Sequence, residues 1–332
     1  MASGKYENFI TQNTAPVGAS HIGVYNSRGK KVGRIPLGNL TLPNTGNKLY
    51  SFGAISDIHI GAVHNGVNDT EDDFRRACQF LKDKGASYVY VCGDLTNSGT
   101  DEQFTKYRNL VTSTGIGVYS AIGNHDTYTY QGGIVNKLHT LSNISFFETY
   151  LRSGDAFIMM GNKSEGELFT REEMTWFAEK LEEHKDIRCF VFQHCLIGTG
   201  NVETCGNPYG WYNNQTWLNE GQTQMVWFEN LLKQYHNVIW FHGHSHFSFR
   251  YQSANCKYAN YDESRGYRSV HIPSVSHPRA NDGDGDGKPD YLVRGSEGYL
   301  VDVYENGIHL QGVNFVTGEF MPIASYWINM KV

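Results

Sequence analysis

The sequence contains no apolar stretch approaching 18 residues, so a membrane-spanning helix is not expected. Its first twenty residues, Met1 to Ser20, are small and polar and lack the apolar core of a secretory leader. Charge is scarce as well. Charged residues make up 19% of the 332, the formal net charge is -6, and no basic run exceeds two or three residues. Bulk electrostatics therefore gives no support to a nucleic-acid backbone as partner. Cysteine is limited to six residues. Cys78, Cys92 and Cys189 fall inside predicted elements, where a buried free thiol is the ordinary outcome. Cys195, Cys205 and Cys256 fall in loops and form no recognisable disulfide framework. No internal repeat or long low-complexity linker breaks the chain. A soluble protein is expected, with cytoplasmic and virion-associated settings both open and the oligomeric state not legible.

What is abundant is glycine (36), tyrosine (21) and phenylalanine (18), with a hydrophobic fraction of 39% that can fill a substantial core. The length suits one large domain with embellishments. Five polar clusters punctuate it: Asp57-Ile58-His59, Gly93-Asp94, Gly123-Asn124-His125-Asp126, His194, and Gly243-His244-Ser245-His246. Each follows a short run rich in β-branched and aromatic residues: 49–55, 88–92, 117–122, 188–192 and 238–241. Helical patterns separate them over 69–84, 101–114, 170–184 and 222–236, and Thr170-Arg171-Glu172-Glu173 is a capping-box signature. Alternation of strand and helix predicts an α/β chain with a largely parallel or mixed sheet. Open sheets of that kind place their sites at the carboxyl ends of strands, where these clusters fall. One such cluster is common by chance. All five together, rich in carboxylate and imidazole and free of thiolate pairs, signal a two-metal hydrolase.

The series Asp-x-His, Gly-Asp, Gly-Asn-His-Asp, lone His and Gly-His-x-His resembles the calcineurin-like metallophosphoesterases over roughly Ser51 to Tyr326. The resemblance implies a four-layer fold of two packed mixed β-sheets flanked by helices. It implies that Asp57, His59, Asp94 and His246 hold one divalent ion. Asp94 would bridge to a second ion, completed by Asn124, His194 and His244. The expected activity is hydrolysis of a phosphomonoester or phosphodiester by a hydroxide bridging the two ions. The mixed nitrogen and oxygen set suits Mn, Fe, Zn or Ni. His125 is expected to protonate the leaving alkoxide or stabilise the transition state, and Asp126 to orient its imidazole. His242, two residues before His244, could compete as a ligand but is expected to pack or to support the ligands from behind. A different class of function is a virion or surface component that recognises a phosphate-bearing polymer with little turnover.

Three regions lie outside this pattern. Residues 1–48 form an N-terminal extension whose segment 21–40 reads as a β-hairpin, expected to extend the first sheet of the 49–332 domain in preference to docking against a partner. The insertion 196–220 carries Tyr209, Trp211, Tyr212 and Trp217, suited either to walling a cleft or to packing on itself. The acidic loop 282–290 places Asp282, Asp284, Asp286 and Asp290 as candidate calcium ligands, although position twelve of the loop is Val293 rather than glutamate. Just before it, His277 and Arg279 are candidates for substrate phosphate, Arg279 as a bidentate clamp or else a salt-bridge partner of the acidic loop.

Overall fold

The computed structural model describes residues 46–63, 69–129, 144–145, 147–161, 169–195, 197, 224–256, 258–280, 290–291 and 295–330, and the backbone alone of 21–25, 31–36, 145, 225 and 290–291. Two sheets face each other. In the first, β3 (Lys48–Ile55), β4 (Tyr88–Cys92), β5 (Gly117–Ala121) and the short β6 (Ile144–Ser145) run parallel. Beyond β3 the same sheet continues antiparallel through β15 (Glu297–Tyr304), β16 (Gly307–Asn314) and β17 (Glu319–Asn329). In the second sheet, β8 (Asp155–Met160), β9 (Cys189–Gln193), β10 (Val238–His242) and β12 (Arg268–His271) run parallel. Antiparallel β7 (Phe147–Arg152) and β11 (Tyr261–Asp262) close its edges.

Alternation along the central strands explains the layering. Tyr90 and Cys92 of β4 face the second sheet, whereas Val89 and Val91 face the helices. Between the sheets lies a cluster of aromatic rings. Phe52 makes edge contacts with Phe157 and Phe190, and Tyr90 stacks on Phe157 at 4.3 Å between centroids. The outer face of the first sheet is covered by α1 (Thr70–Asp83) and α2 (Asp101–Thr114) through Phe74, Cys78, Leu81, Phe104 and Tyr107. The outer face of the second is covered by α3 (Arg171–Glu183) and α4 (Gln224–Leu232) through Met174, Phe177, Leu181 and Phe228. Helix, sheet, sheet and helix make the four layers.

Local chemistry sets the helix ends. Thr170 accepts the N–H of Glu173, whose carboxylate accepts the N–H of Thr170, which is the reciprocal cap expected. Thr100 caps α2, and Gly115 ends it in a left-handed conformation (φ 63°). A short α5 (Phe249–Asn255), capped by Ser248, was not signalled by periodicity because it spans only 7 residues.

The N-terminal hairpin departs from expectation. β1 (His21–Tyr25) and β2 (Lys31–Pro36) pair with each other as a separate two-stranded sheet and join neither large sheet. A second small pair joins β13 (Arg279–Ala280) to β14 (Asp290–Tyr291). The aromatic insertion with Tyr209, Trp211, Tyr212 and Trp217 lies outside the described residues, as do Asp282, Asp284 and Asp286; for Asp290 the backbone alone is described. Cysteine usage also differs from expectation. Cys78, Cys92, Cys189 and Cys195 are buried free thiols, but Cys256 is disulfide-bonded. Among the described residues, no helix is long and apolar enough to cross a membrane.

Candidate metal centre

All five clusters meet at the carboxyl ends of β3, β4, β5, β9 and β10. The chain leaves β3 and lies alongside the turn after β4. The N–H groups of Asp57, Ile58 and His59 donate to the carbonyls of Gly93 and Asp94 at 2.8–3.1 Å. Gly243 donates to the carbonyl of His194, which ties β10 to β9. Two glycines permit these close approaches. A Cβ on Gly123 would collide with the Asp94 backbone and carboxylate, and one on Gly243 would collide with Ser56 Oγ and Asp57 Oδ2.

The backbone here is strained. Asp57 (φ 56°), His59 (φ 53°), Asp94 (φ 51°), His244 (φ 73°) and His246 (φ 60°) all occupy the left-handed region that side-chain-bearing residues rarely adopt. Among the described non-glycine residues, only Ser153 in a hairpin turn shares it. Each such residue costs on the order of 1–3 kcal/mol and persists only where its surroundings dictate it. Here the strain turns several donor groups toward one point.

Two groups of potential ligand atoms result: Asp57, His59, Asp94 and His246, and Asp94, His194 and His244, with the atoms in each group within 4.8 Å of one another. Asp94 belongs to both. Its Oδ2 lies 3.4 Å from His59 Nε2 and 3.1 Å from His194 Nε2. Asp57 Oδ1 lies 3.2 Å from His246 Nε2, and His59 Nε2 is 3.0 Å from His246 Nε2. In the second group, His244 Nδ1 lies 3.1 Å from Asn124 Oδ1 and 3.2 Å from His194 Nε2.

The donor set fits divalent cations. Asp57 and Asp94 are buried carboxylates, and among the described residues their ion pairs are with imidazoles alone. Buried anions need a cation. Burial pushes His59 down to about 4 and His244 down to about 3, so both rings are neutral and carry a lone pair for a metal. For His194, burial opposes the charged form, but Asp94 and Asp57 prevail and carry it up to about 9; a metal would displace that proton. His194 Nδ1 donates to the carbonyl of Cys92 at 2.7 Å, which fixes its tautomer and turns Nε2 inward. Asn124 Nδ2 donates to Tyr128 Oη at 3.1 Å, which leaves Oδ1 for the centre.

His125 sits at the rim. Its Nδ1 lies 2.9 Å from the carbonyl of Asn97, so the ring donates there and Nε2 remains for chemistry. The ring meets that of His59 edge-on at 4.5 Å between centroids. Asp126 does something other than expected. Its buried carboxylate accepts from Leu95 N, Thr96 N, Thr96 Oγ1 and Gly123 N at 2.8–3.1 Å, and His125 is held by Asn97 instead. Asp126 thus buckles the turn after β5 to the turn after β4. Burial, followed by the nearby Asp94 charge, pushes its carboxyl up to about 6.

His277 and Arg279 lie beside this edge. Arg279 N donates to His246 O at 2.7 Å, and buried His277 is anchored through its N–H to Ser274 Oγ at 2.7 Å. His242 is buried, its ring 5.6 Å from that of His271, and it belongs to neither group of ligand-capable atoms. The roles of the Cys92 and Asn97 carbonyls were not legible in the sequence, because backbone groups carry no residue signature. Tyr128, four residues beyond Asn124, was open to discovery as a neighbour on the same turn.

A family model described as calcineurin-like phosphoesterase matches residues 50–248. A comparison with curated protein sequences finds no match. Among solved structures, a dimetal phosphatase from Danio rerio superposes with a TM-score of 0.56 at 13% identity, covering 86% of this chain and 100% of that one. A purple acid phosphatase from yellow lupin seeds gives a TM-score of 0.56 at 11% identity, covering 87% and 55% respectively. GAP50, described as the anchor in the inner membrane complex of Plasmodium, gives 0.54 at 14% identity, covering 86% and 90%. At such identities the likeness establishes a shared fold.

Proposed function

We propose a reading that starts from membership, since the chain belongs to the calcineurin-like phosphoesterase family: it is a dinuclear metal-dependent hydrolase of phosphomonoesters or phosphodiesters. The observation that carries it is the convergence of two groups of ligand-capable atoms on a shared Asp94. Asp57, His59, Asp94 and His246 would hold one ion, and Asp94, Asn124, His194 and His244 the other, with Mn, Fe, Zn or Ni suited to the donors. Bound there, the ions would supply Lewis acidity toward phosphoryl oxygens and a water of lowered pKa.

The chain's own residues supply the rest. His125, held through Nδ1 by the Asn97 carbonyl, keeps Nε2 free to deliver a proton to a leaving alkoxide. Asp126 keeps the turn that carries Asn124 and His125 against the one that carries Asp94. Arg279, next to the His246 carbonyl in the backbone, and His277 are candidates for holding substrate phosphate.

The test compares p-nitrophenyl phosphate with bis-p-nitrophenyl phosphate, with Mn supplied and then chelated. Metal-dependent release from either ester is expected, and Asp94→Asn should abolish it together with uptake of both ions. No release with Mn, Fe, Zn or Ni would overturn the hydrolase reading. The second reading is a component that binds a phosphate-bearing polymer with little turnover, through the same polar cluster. Tight polymer binding without turnover would support it.

A further inference from the structure

We propose that the segment after β12, through Ser274 and Ser276, is a strap that presets the first of the two metal positions, the one formed by Asp57, His59, Asp94 and His246. This rests on the dinuclear reading and deepens it, because the strap lies beyond residue 248, outside the stretch matched by the family model.

The loop after β3 must leave its strand, pass through left-handed conformations at Asp57 and His59, and still satisfy its buried carbonyls. Two hydroxyls do this. Ser274 Oγ donates to Asp57 O at 2.8 Å, and Ser276 Oγ donates to Ile58 O at 2.9 Å. Both serines are buried, at 0% and 2% exposure, so no solvent can replace them. Ser274 Oγ in turn accepts from Ser276 N at 3.2 Å and His277 N at 2.7 Å. Val275 N bonds to Ser56 O at 2.9 Å, so the strap is itself fixed against the end of β3. Farther along, Arg279 N donates to His246 O at 2.7 Å and Ser248 N donates to Arg279 O at 2.8 Å, which secures the loop bearing His246. One run of residues therefore bonds both loops that present ligands particular to the first position.

Two ligands particular to the second position are held from elsewhere, whereas His244 shares the loop of His246 and donates its N–H to the Asp57 carboxylate at 3.1–3.2 Å. His194 is fixed by the Cys92 carbonyl, Asn124 by Tyr128, and the turn bearing Asn124 by Asp126. An unsatisfied buried carbonyl is as unfavourable as one left-handed residue, so removing either hydroxyl should let Asp57 and His59 relax. Ser274 and Ser276 are positioning residues that act through Asp57 and His59.

The experiment titrates Mn into metal-free protein by calorimetry and electron paramagnetic resonance. Wild type should take up two ions. Ser276→Ala and Ser274→Ala should weaken one ion by about 10–100-fold, the usual effect of removing a group that orients a metal ligand, and give a mononuclear signal at intermediate Mn. Paired variants assign the position. In a His244→Ala background, which disables the second position, Ser276→Ala should weaken the remaining ion. In a His246→Ala background, which disables the first, it should weaken the remaining ion far less, by no more than the His244 contact to Asp57 transmits. Ser325→Ala controls for the loss of a buried serine elsewhere, since Ser325 bonds to His309 at 3.0 Å in another part of the first sheet, and it should leave both ions in place. Equal weakening in the two backgrounds, no weakening in either, or the same loss in Ser325→Ala would overturn the assignment while leaving the dinuclear reading intact. A wild-type chain that takes up no divalent ion would defeat the dinuclear reading, and the strap with it.

Discussion

His125 and Asp126 are neighbours in sequence with unrelated duties. The side chain of one lies at the rim, with one ring nitrogen bonded to a carbonyl and the other uncommitted. The other is buried and accepts four hydrogen bonds from the turns after β4 and β5. His125→Ala is therefore expected to keep the fold and both ions while losing turnover by ~10²–10⁴-fold, the usual contribution of a proton donor. Steady-state rates with good and poor leaving groups check this. The loss should shrink with p-nitrophenolate, which needs little protonation, and an equal loss for all leaving groups would refute proton delivery.

The elements of this fold are short, and their ends hold the chemistry. Gly243→Ala places a Cβ where Ser56 Oγ and Asp57 Oδ2 now lie, so the ends of β3 and β10 must separate. Metal analysis should find at least one ion lost from that variant, even where circular dichroism shows native strand content. Far from the centre, Thr170→Ala removes half of the capping box of α3. Stability to urea should fall by about 0.5–2 kcal/mol with activity unchanged. A parallel loss of activity would mean that α3 has a role at the centre that its position does not suggest. Elements with strong local signals were legible in the sequence: α1 to α3 matched their periodic patterns within a residue or so, α3 matched its capping box, and the five strands that lead into the polar clusters matched as well, although Asp69 makes no side-chain cap bond at α1. The antiparallel trio β15, β16 and β17 went unrecognised, although its strands are 8 to 11 residues long. Buried polar residues such as Asp302 and His309 interrupt its apolar alternation, and they are tolerated because Ser51 and Ser325 bond to them across strands. The β7–β8 hairpin was missed too, though Ser153-Gly154 with positive φ at both residues is a two-residue turn of the kind hairpins favour.

At the scale of the molecule, the interior contains a carboxylate that links stability to pH. Glu297, 4% exposed on β15, accepts the N–H of Phe249 at 2.8 Å, and burial pushes its carboxyl up to about 7. The unfolded chain loses this proton near 4.5, its ordinary value, whereas the folded chain keeps it until about 7. Between those limits the native state binds more protons, so the contribution of Glu297 to stability is full below 4.5, falls as pH rises to about 7, and is level above. Glu297→Gln should remove that slope. Compared at pH 5 and pH 8 by urea denaturation, the variant should gain on wild type by on the order of 1–3 kcal/mol at the higher pH. An offset that is the same at both values would show that Glu297 does not change its protonation on folding.

The sequence alone determined the candidate ligand types, their order and their attachment to strand ends, because spacing and residue chemistry are local properties that a periodic strand carries with it. It determined the capping box at Thr170 for the same reason. Only the tertiary structure decided which sheet each strand joined, that β1 and β2 pair with each other and with neither large sheet, and that Asp126 clamps two turns where an imidazole partner was expected. It alone brought Ser274 and Ser276 against carbonyls more than 200 positions away, at Asp57 and Ile58. Contacts of that range depend on how two sheets pack and on which buried carbonyls the strained loops leave without a ladder partner. No window of neighbouring residues encodes either.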